Sequence, residues 1–245
     1  MVKHSHFLKL IIDIGNSAVK LALFKDKWLL RTAEFTSCSM NNITNFLSEE
    51  VVLRTILSSV KNIDRQTLEV ITHYKAIVLD ERTALPIKIS YKTPITLGKD
   101  RIAGVVAASS LYKDKNVLVL DFGSCFTVDV ITKKREYLGG RISPGLNMRY
   151  NALHQFTDQL PLCKITNNES FIGDDTISSI NTGVQQGMIA EVKEVIASFI
   201  KENNDTAVIL TGGDCFFFEK ELKNSIFANP FLVMEGLNEI LDYNE

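Results

Sequence analysis

Two short apolar runs, each ending in a carboxylate and a glycine, constrain this chain more than any other feature. One is Leu10-Ile11-Ile12-Asp13-Ile14-Gly15-Asn16-Ser17-Ala18-Val19-Lys20. The other is Val117-Leu118-Val119-Leu120-Asp121-Phe122-Gly123-Ser124-Cys125-Phe126-Thr127-Val128-Asp129. In each a strand ends, a carboxylate sits at its tip, and the glycine permits a tight reversal into a second strand. Small hydroxyl or amide residues follow and leave backbone N–H groups open. Two such hairpins facing each other would make a cleft for a metal-bound phosphate chain.

The pattern around these runs is that of an α/β protein with an internal repeat of design. In the first half, strands are predicted at 7–13, 18–24, 28–35, 52–60, 76–79 and 85–91. Helices are predicted at 41–51, with Asn41 or Asn42 as its cap, at 64–73, and from Asp100 onward. In the second half, strands at 117–121, 126–131 and 137–142 precede helices at 146–156 and 177–201, with a buried strand at 207–210. A hairpin followed by β–α units implies a mixed sheet flanked by helices, made twice. The expected division is 1–114 and 115–245.

With 245 residues, 45% hydrophobic and 23% charged, the chain can bury one large core or two small ones. A formal net charge of −2 gives no reason to expect nucleic acid or an anionic membrane as partner. No apolar run approaches the ~18 residues of a membrane span, and the first residues lack the pattern of a signal peptide. Cys38, Cys125, Cys163 and Cys215 are far apart and form no Cys-x-x-Cys pair, so reduced thiols and a cytoplasmic location are expected.

Neither a Gly-x-x-x-x-Gly-Lys-Ser/Thr loop nor a Gly-x-Gly-x-x-Gly turn is present, which excludes a P-loop and a dinucleotide crossover. The absence of a Gly-x-Ser-x-Gly elbow removes support for a hydrolase triad. Asp13 or Asp121 alone would be a turn residue; two in matching contexts point to phosphoryl transfer with a hard cation. Gly98-Lys99-Asp100-Arg101 can be a helix start with Asp100 as cap, which the residues by themselves favour. A carboxylate there, beside an arginine, is also placed to take a hydroxyl proton. Thr211-Gly212-Gly213-Asp214 suits close approach of a flat ligand or a tight strand-to-helix turn. Gly139-Gly140-Arg141-Ile142-Ser143-Pro144-Gly145 is a turn cluster that can line the Asp121 site. His4 and His6 sit at a terminus, His73 and His154 are isolated, and Phe216-Phe217-Phe218 reads as core or subunit interface.

In combination these motifs resemble the type III pantothenate kinases, within the actin, hexokinase and Hsp70 phosphotransferase superfamily. The likeness runs from Asp13-Ile14-Gly15-Asn16-Ser17 to Leu210-Thr211-Gly212-Gly213-Asp214. It includes Gly98 to Arg101, Asp121-Phe122-Gly123-Ser124, Gly139 to Gly145, Gly173-Asp174-Asp175-Thr176, Gly183 and Gly187. The resemblance implies two ribonuclease-H-like (actin-like ATPase) lobes and ATP-dependent phosphorylation of pantothenate, the first step of coenzyme A synthesis. It implies that Asp13, Ile14, Gly15, Asn16, Ser17, Ala18, Val19 and Lys20 bind the phosphates of magnesium-ATP and that Ser124 contacts the nucleotide. Asp121 then matches the ligand of a monovalent cation, potassium or ammonium. Tyr91, Gly98, Lys99, Asp100, Arg101 and Thr176 match pantothenate contacts, with Asp100 as proton acceptor, and a second subunit closes the pocket of a homodimer. Ser17 stands where the family usually has Thr, Ser124-Cys125 replaces the commoner Thr-Ala, and Lys99 replaces a small residue; no functional group is removed. The rival readings are another small-molecule kinase or phosphatase of the superfamily and a non-catalytic regulator on the same fold.

Overall fold

The computed structural model describes residues 8–166, 171–222 and 226–245. His4, His6 and Phe7, with their metal and strand expectations, lie outside the described residues. Strands β1 (Leu8–Ile14), β2 (Val19–Lys25) and β3 (Trp28–Phe35) come first, then α1 (Met40–Leu47), β4 (Val52–Ser59), α2 (Arg65–Tyr74) and β5 (Ile77–Val78). A two-residue β6 (Lys88–Ile89) and a 3-10 turn (Pro94–Thr96) lead into α3 (Lys99–Leu111). Next are β7 (Asn116–Phe122), β8 (Cys125–Ile131), β9 (Glu136–Pro144), α4 (Leu146–Gln155) and α5 (Thr176–Glu202). The chain closes with β10 (Thr206–Thr211), α6 (Cys215–Leu222), β11 (Phe227–Ala228) and α7 (Leu232–Tyr243).

Contacts divide the chain into two compact units. The first takes the chain up to Lys113 with Ile131–Leu138 and Phe231–Glu245, and the second takes Asp114–Val130 and Gly139–Pro230. Each unit is an α/β layer structure on a mixed sheet. One sheet has the order β3-β2-β1-β4-β5 and the other β6-β9-β8-β7-β10-β11, so the same five-strand order is used twice, with β6 added at one edge of the second sheet. In the first unit β1 pairs antiparallel with β2 and parallel with β4. In the second, β7 pairs parallel with β10, which pairs parallel with β11. The repeat of design seen in the sequence is thus a repeat of topology.

In the first unit β1 is central, and its uninterrupted apolar run is buried on both faces. Leu10, Ile12 and Ile14 cluster with Leu21, Leu57, Ile43 of α1 and Val70 of α2. Side chains alternate along a strand, so Ile11 and Asp13 face the other way, toward the side covered by α3 and α7. Each fully buried Leu or Ile contributes about 1.5–3 kcal/mol.

Two helix starts differ from expectation. α1 is capped by Ser39, which accepts the Asn42 N–H at 3.3 Å, while the Asn42 amide reaches back to Ser37. It stops at Leu47 because Ser48 takes a positive φ of 55° and Arg31 bonds the Phe46 carbonyl and Glu50, satisfying the helix end. α3 begins after Gly98, not at a capping Asp100, which lies inside the first turn. The predicted strand at 85–91 shrinks to β6, held in parallel register against Glu136 and Tyr137.

The last helix went unread in the sequence. α7 packs along α3, and at their crossing a Cβ on Gly236 would stand 1.8 Å from the Ala103 carbonyl oxygen. Lys9 on β1, almost fully buried, bonds Asp242 at 2.6 Å and anchors the end of this helix. In the second unit α5 runs within one residue of its predicted span at each end, and its buried face meets Leu118, Leu120, Phe126 and Tyr150. Phe218 of α6 is core, whereas Phe216 is exposed.

Gly236→Ala should lower the unfolding free energy by about 1–3 kcal/mol, because backbone must yield to the added methyl. The readout is a lower urea midpoint at unchanged slope. Gly187→Ala in α5, where a Cβ meets nothing within 4 Å, should be neutral or slightly stabilising in the same assay.

Candidate active site

The first candidate centre is built on the ends of three adjacent strands. Register places Lys20 of β2 and Ser58 of β4 on either side of Asp13, so all three side chains share the face that α3 and α7 cover. The turn is tight: the Gly15 N–H donates to the Ala18 carbonyl at 2.9 Å, which leaves Asn16 and Ser17 exposed at the tip. Asp13 is only 9% exposed, yet among the described residues its Oδ1 has no close hydrogen-bond donor, and Oγ of the fully buried Ser58 approaches the carboxylate without a well-formed bond. Burial above all, and then the nearby Asp100 carboxylate, push Asp13 from 3.8 up to about 6, with Lys20 and Ser58 drawing it partly back.

That coupling brings the start of α3 into the same centre. Oδ1 of Asp100 accepts the Arg101 N–H at 2.8 Å. A Cβ on Gly98 would lie 2.6 Å from this oxygen, so the glycine leaves room for the carboxylate at the helix start. Arg101 is buried and Lys99 half-buried. Tyr91 lies two residues beyond β6, its ring 6.0 Å from that of the buried Tyr137. Two carboxylates, a lysine and open turn N–H groups suit a polyanion carried with a divalent cation. The unpartnered Asp13 oxygen fits such a group, because an ion or its water shell would satisfy it. Among the described residues, no group of three or more His, Cys, Asp or Glu forms a ready-made metal cage.

The second unit repeats the hairpin with a different surround. Asp121 ends β7 opposite Thr211 of β10. Gly212 takes φ +88°, and a Cβ there would be 2.4 Å from Asp121 Oδ1 and 2.5 Å from the Phe122 carbonyl carbon. The Asp214 N–H donates to the Phe122 carbonyl at 3.1 Å, so the Thr211–Asp214 turn packs against the Asp121 segment itself. Burial raises the Asp214 carboxyl above its ordinary range. Below the turn Phe122 stacks between Phe126 and Phe218, at 5.0 and 4.0 Å. Ser124 is exposed at the tip.

Thr176 opens α5 next to its cap, Asp175, which forms a reciprocal pair with Ser178. It lines a groove of about 1320 Å³ between α4 and α5, together with Met148, Arg149 and Phe156. His73 packs edge-on against Tyr74, and His154 bonds the Leu160 carbonyl at 2.8 Å, both in structural roles. The sequence reading missed Ser58, although a Ser-Ser pair closing an apolar strand is the signal that could have found it. It also missed that Gly145 is buried under the second hairpin.

The raised Asp13 carboxyl carries a testable sign. Between pH 4 and 6 the native chain holds a proton that an unfolded aspartate has already lost, so stability falls as pH rises through that window. Without nucleotide or magnesium, Asp13→Asn should therefore exceed the native chain in stability at pH 7.5, by about 1–3 kcal/mol. The gain should vanish near pH 4, as followed by thermal melting.

Residues 9–198 match the family described as Type III pantothenate kinase. A type III pantothenate kinase of Christiangramia forsetii is 43% identical over 241 residues, covering 97% of this chain and 99% of that one. Among solved structures, a Campylobacter jejuni protein described as a Baf family transcriptional activator aligns with a TM-score of 0.61 at 22% identity, covering 96% and 98% of the two chains. A glucokinase from an Antarctic psychrotroph aligns with a TM-score of 0.53 at 11% identity, over 96% and 99%.

Proposed function

The chain belongs to the type III pantothenate kinase family, and from that premise we propose that it transfers the γ-phosphoryl group of ATP to the primary hydroxyl of pantothenate. The product is 4'-phosphopantothenate, and the step is the first of coenzyme A synthesis. The observation that carries this reading is the meeting of Asp13, Lys20 and Asp100 in one centre, around a buried carboxylate with one oxygen that has no close hydrogen-bond donor among the described residues.

In this reading the turn from Asp13 to Lys20 receives the ATP phosphates, with open N–H groups and the Lys20 ammonium toward them. Asp100 accepts the proton of the pantothenate hydroxyl while that oxygen forms a bond to the γ-phosphorus. The bond between the γ-phosphorus and its bridging oxygen breaks, and ADP leaves. Tyr91, Gly98, Lys99, Arg101 and Thr176 orient the acceptor, and Ser124 contacts the nucleotide. Asp13 would help to hold magnesium and Asp121 potassium or ammonium, and each ion would supply charge neutralisation. Catalysis then rests on positioning and electrostatics.

A second copy of the chain is the proposed cover of the Thr176 groove, since Met148 and Phe156, 42% and 85% exposed, leave an apolar rim in solvent. Phe156→Glu should then give a monomer by light scattering and a raised KM for pantothenate. Four free cysteines favour a cytoplasmic location. The name of the Campylobacter jejuni structure raises the reading of a non-catalytic regulator. The paired Asp13 and Asp100 favour catalysis, because a binding module has no need of a second carboxylate against the first.

Asp100→Asn should reduce turnover with ATP and pantothenate roughly 10²- to 10⁴-fold and leave nucleotide binding near native. Undiminished activity would remove Asp100 from the role of base. Failure of the native chain, expressed in soluble form, to complement a strain lacking its pantothenate kinase would favour the regulator.

A further inference from the structure

β9 ends at Pro144 and α4 begins at Leu146, so the chain turns from strand to helix at a single residue, Gly145. It turns against the second hairpin. A Cβ at 145 would stand 2.5 Å from the Gly123 carbonyl oxygen and 2.7 Å from that of Ser124, and the Gly145 N–H donates to Ser124 O at 3.3 Å. Turn and hairpin therefore touch backbone to backbone, with no side chain between them to absorb a shift.

Arg149, one helical turn into α4, holds this turn from the other side. Its Nε donates to the Pro144 carbonyl at 2.8 Å, and its Nη2 donates to Ser143 Oγ at 3.0 Å and to the Glu191 carboxylate of α5. Its backbone N–H donates to the Gly145 carbonyl at 3.0 Å. The side chain is 22% exposed. One planar fork thus ties the last two residues of β9 to a neighbouring helix, which the compact ammonium of lysine does not match.

We propose that Arg149 is a positioning residue for nucleotide binding: it locks the end of β9 and Gly145 against the Gly123–Ser124 hairpin and so fixes the hydroxyl of Ser124. The inference rests on the proposed contact of Ser124 with the nucleotide. Arg149 also lines the groove beside Thr176, where a direct contact with pantothenate is the competing role. The two roles move different constants, since positioning acts on ATP and direct contact on pantothenate.

The test is steady-state kinetics on the full-length protein for Arg149→Ala, Arg149→Lys, Glu191→Gln and Ser124→Ala, with thermal melting to establish folding. Arg149→Ala should raise KM for ATP roughly tenfold, the scale of one charge-assisted hydrogen bond, with KM for pantothenate unchanged. Arg149→Lys should not restore it, and Glu191→Gln should give a smaller rise in the same direction. An unchanged KM for ATP in Arg149→Ala, or a rise confined to pantothenate, would overturn the inference. Should Arg149→Ala fail to fold, Ser143→Ala and Glu191→Gln, each removing one partner, decide by the same constants. A native KM for ATP in Ser124→Ala would overturn the underlying reading and the inference with it. A raised KM in Ser124→Ala but not in the arginine variants would overturn the inference alone.

Discussion

A carboxylate buried at the end of a central strand is costly to ionise, and the first unit is arranged so that Asp13 occupies that position. The apolar run before it fills both faces of the sheet, so the strand cannot slip by a residue without turning Ile12 and Ile14 out of their cluster. Register then puts Lys20 and Ser58 beside Asp13. The covering layer is set by the contact of α3 with α7 at Gly236, where backbone meets side-chain-free backbone. Since α3 carries Asp100 in its first turn, the last helix of the chain helps to place the carboxylate that opposes Asp13. A phosphate-bearing ligand with its cation would relieve the charge that these contacts leave unbalanced.

The second unit uses the same strand order but a different kind of restraint. Its hairpin is held by close approaches that only glycine allows, from Gly212 at the Asp121 side and Gly145 at the Ser124 side. The stacked rings of Phe126, Phe122 and Phe218 pack at its base. The two hairpins look alike as strings of residues and differ in surroundings: the first buries its aspartate among charged neighbours, the second leaves Asp121 half-buried within a backbone frame.

Much of the fold was legible because its signals are local. Continuous apolar runs ending in Asp-x-Gly identify β1 and β7, and the long periodic stretch of α5 defines itself. The misses have physical causes as well. Asp100 has the composition of a cap, but Gly98 already starts the helix and leaves the carboxylate space. The predicted strand at 85–91 shortened to two residues because its ladder against β9 runs only over Lys88 and Ile89, with one further backbone bond from Ser90 to Tyr137. α7 escaped notice because its position depends on a crossing with a helix more than a hundred residues earlier.

By itself the sequence determined the chemistry class: two Asp-x-Gly turns, a Gly-Lys-Asp-Arg loop and the family they belong to are contiguous strings that need no third dimension. Only the tertiary structure decided which residues act together. Ser58 beside Asp13, Gly212 against Asp121, and Arg149 beneath the Ser124 hairpin are pairs made by strand register and backbone approach. Burial and distance across separate elements set the charge of Asp13 and the fixity of Ser124, and neither quantity is written in the order of the residues.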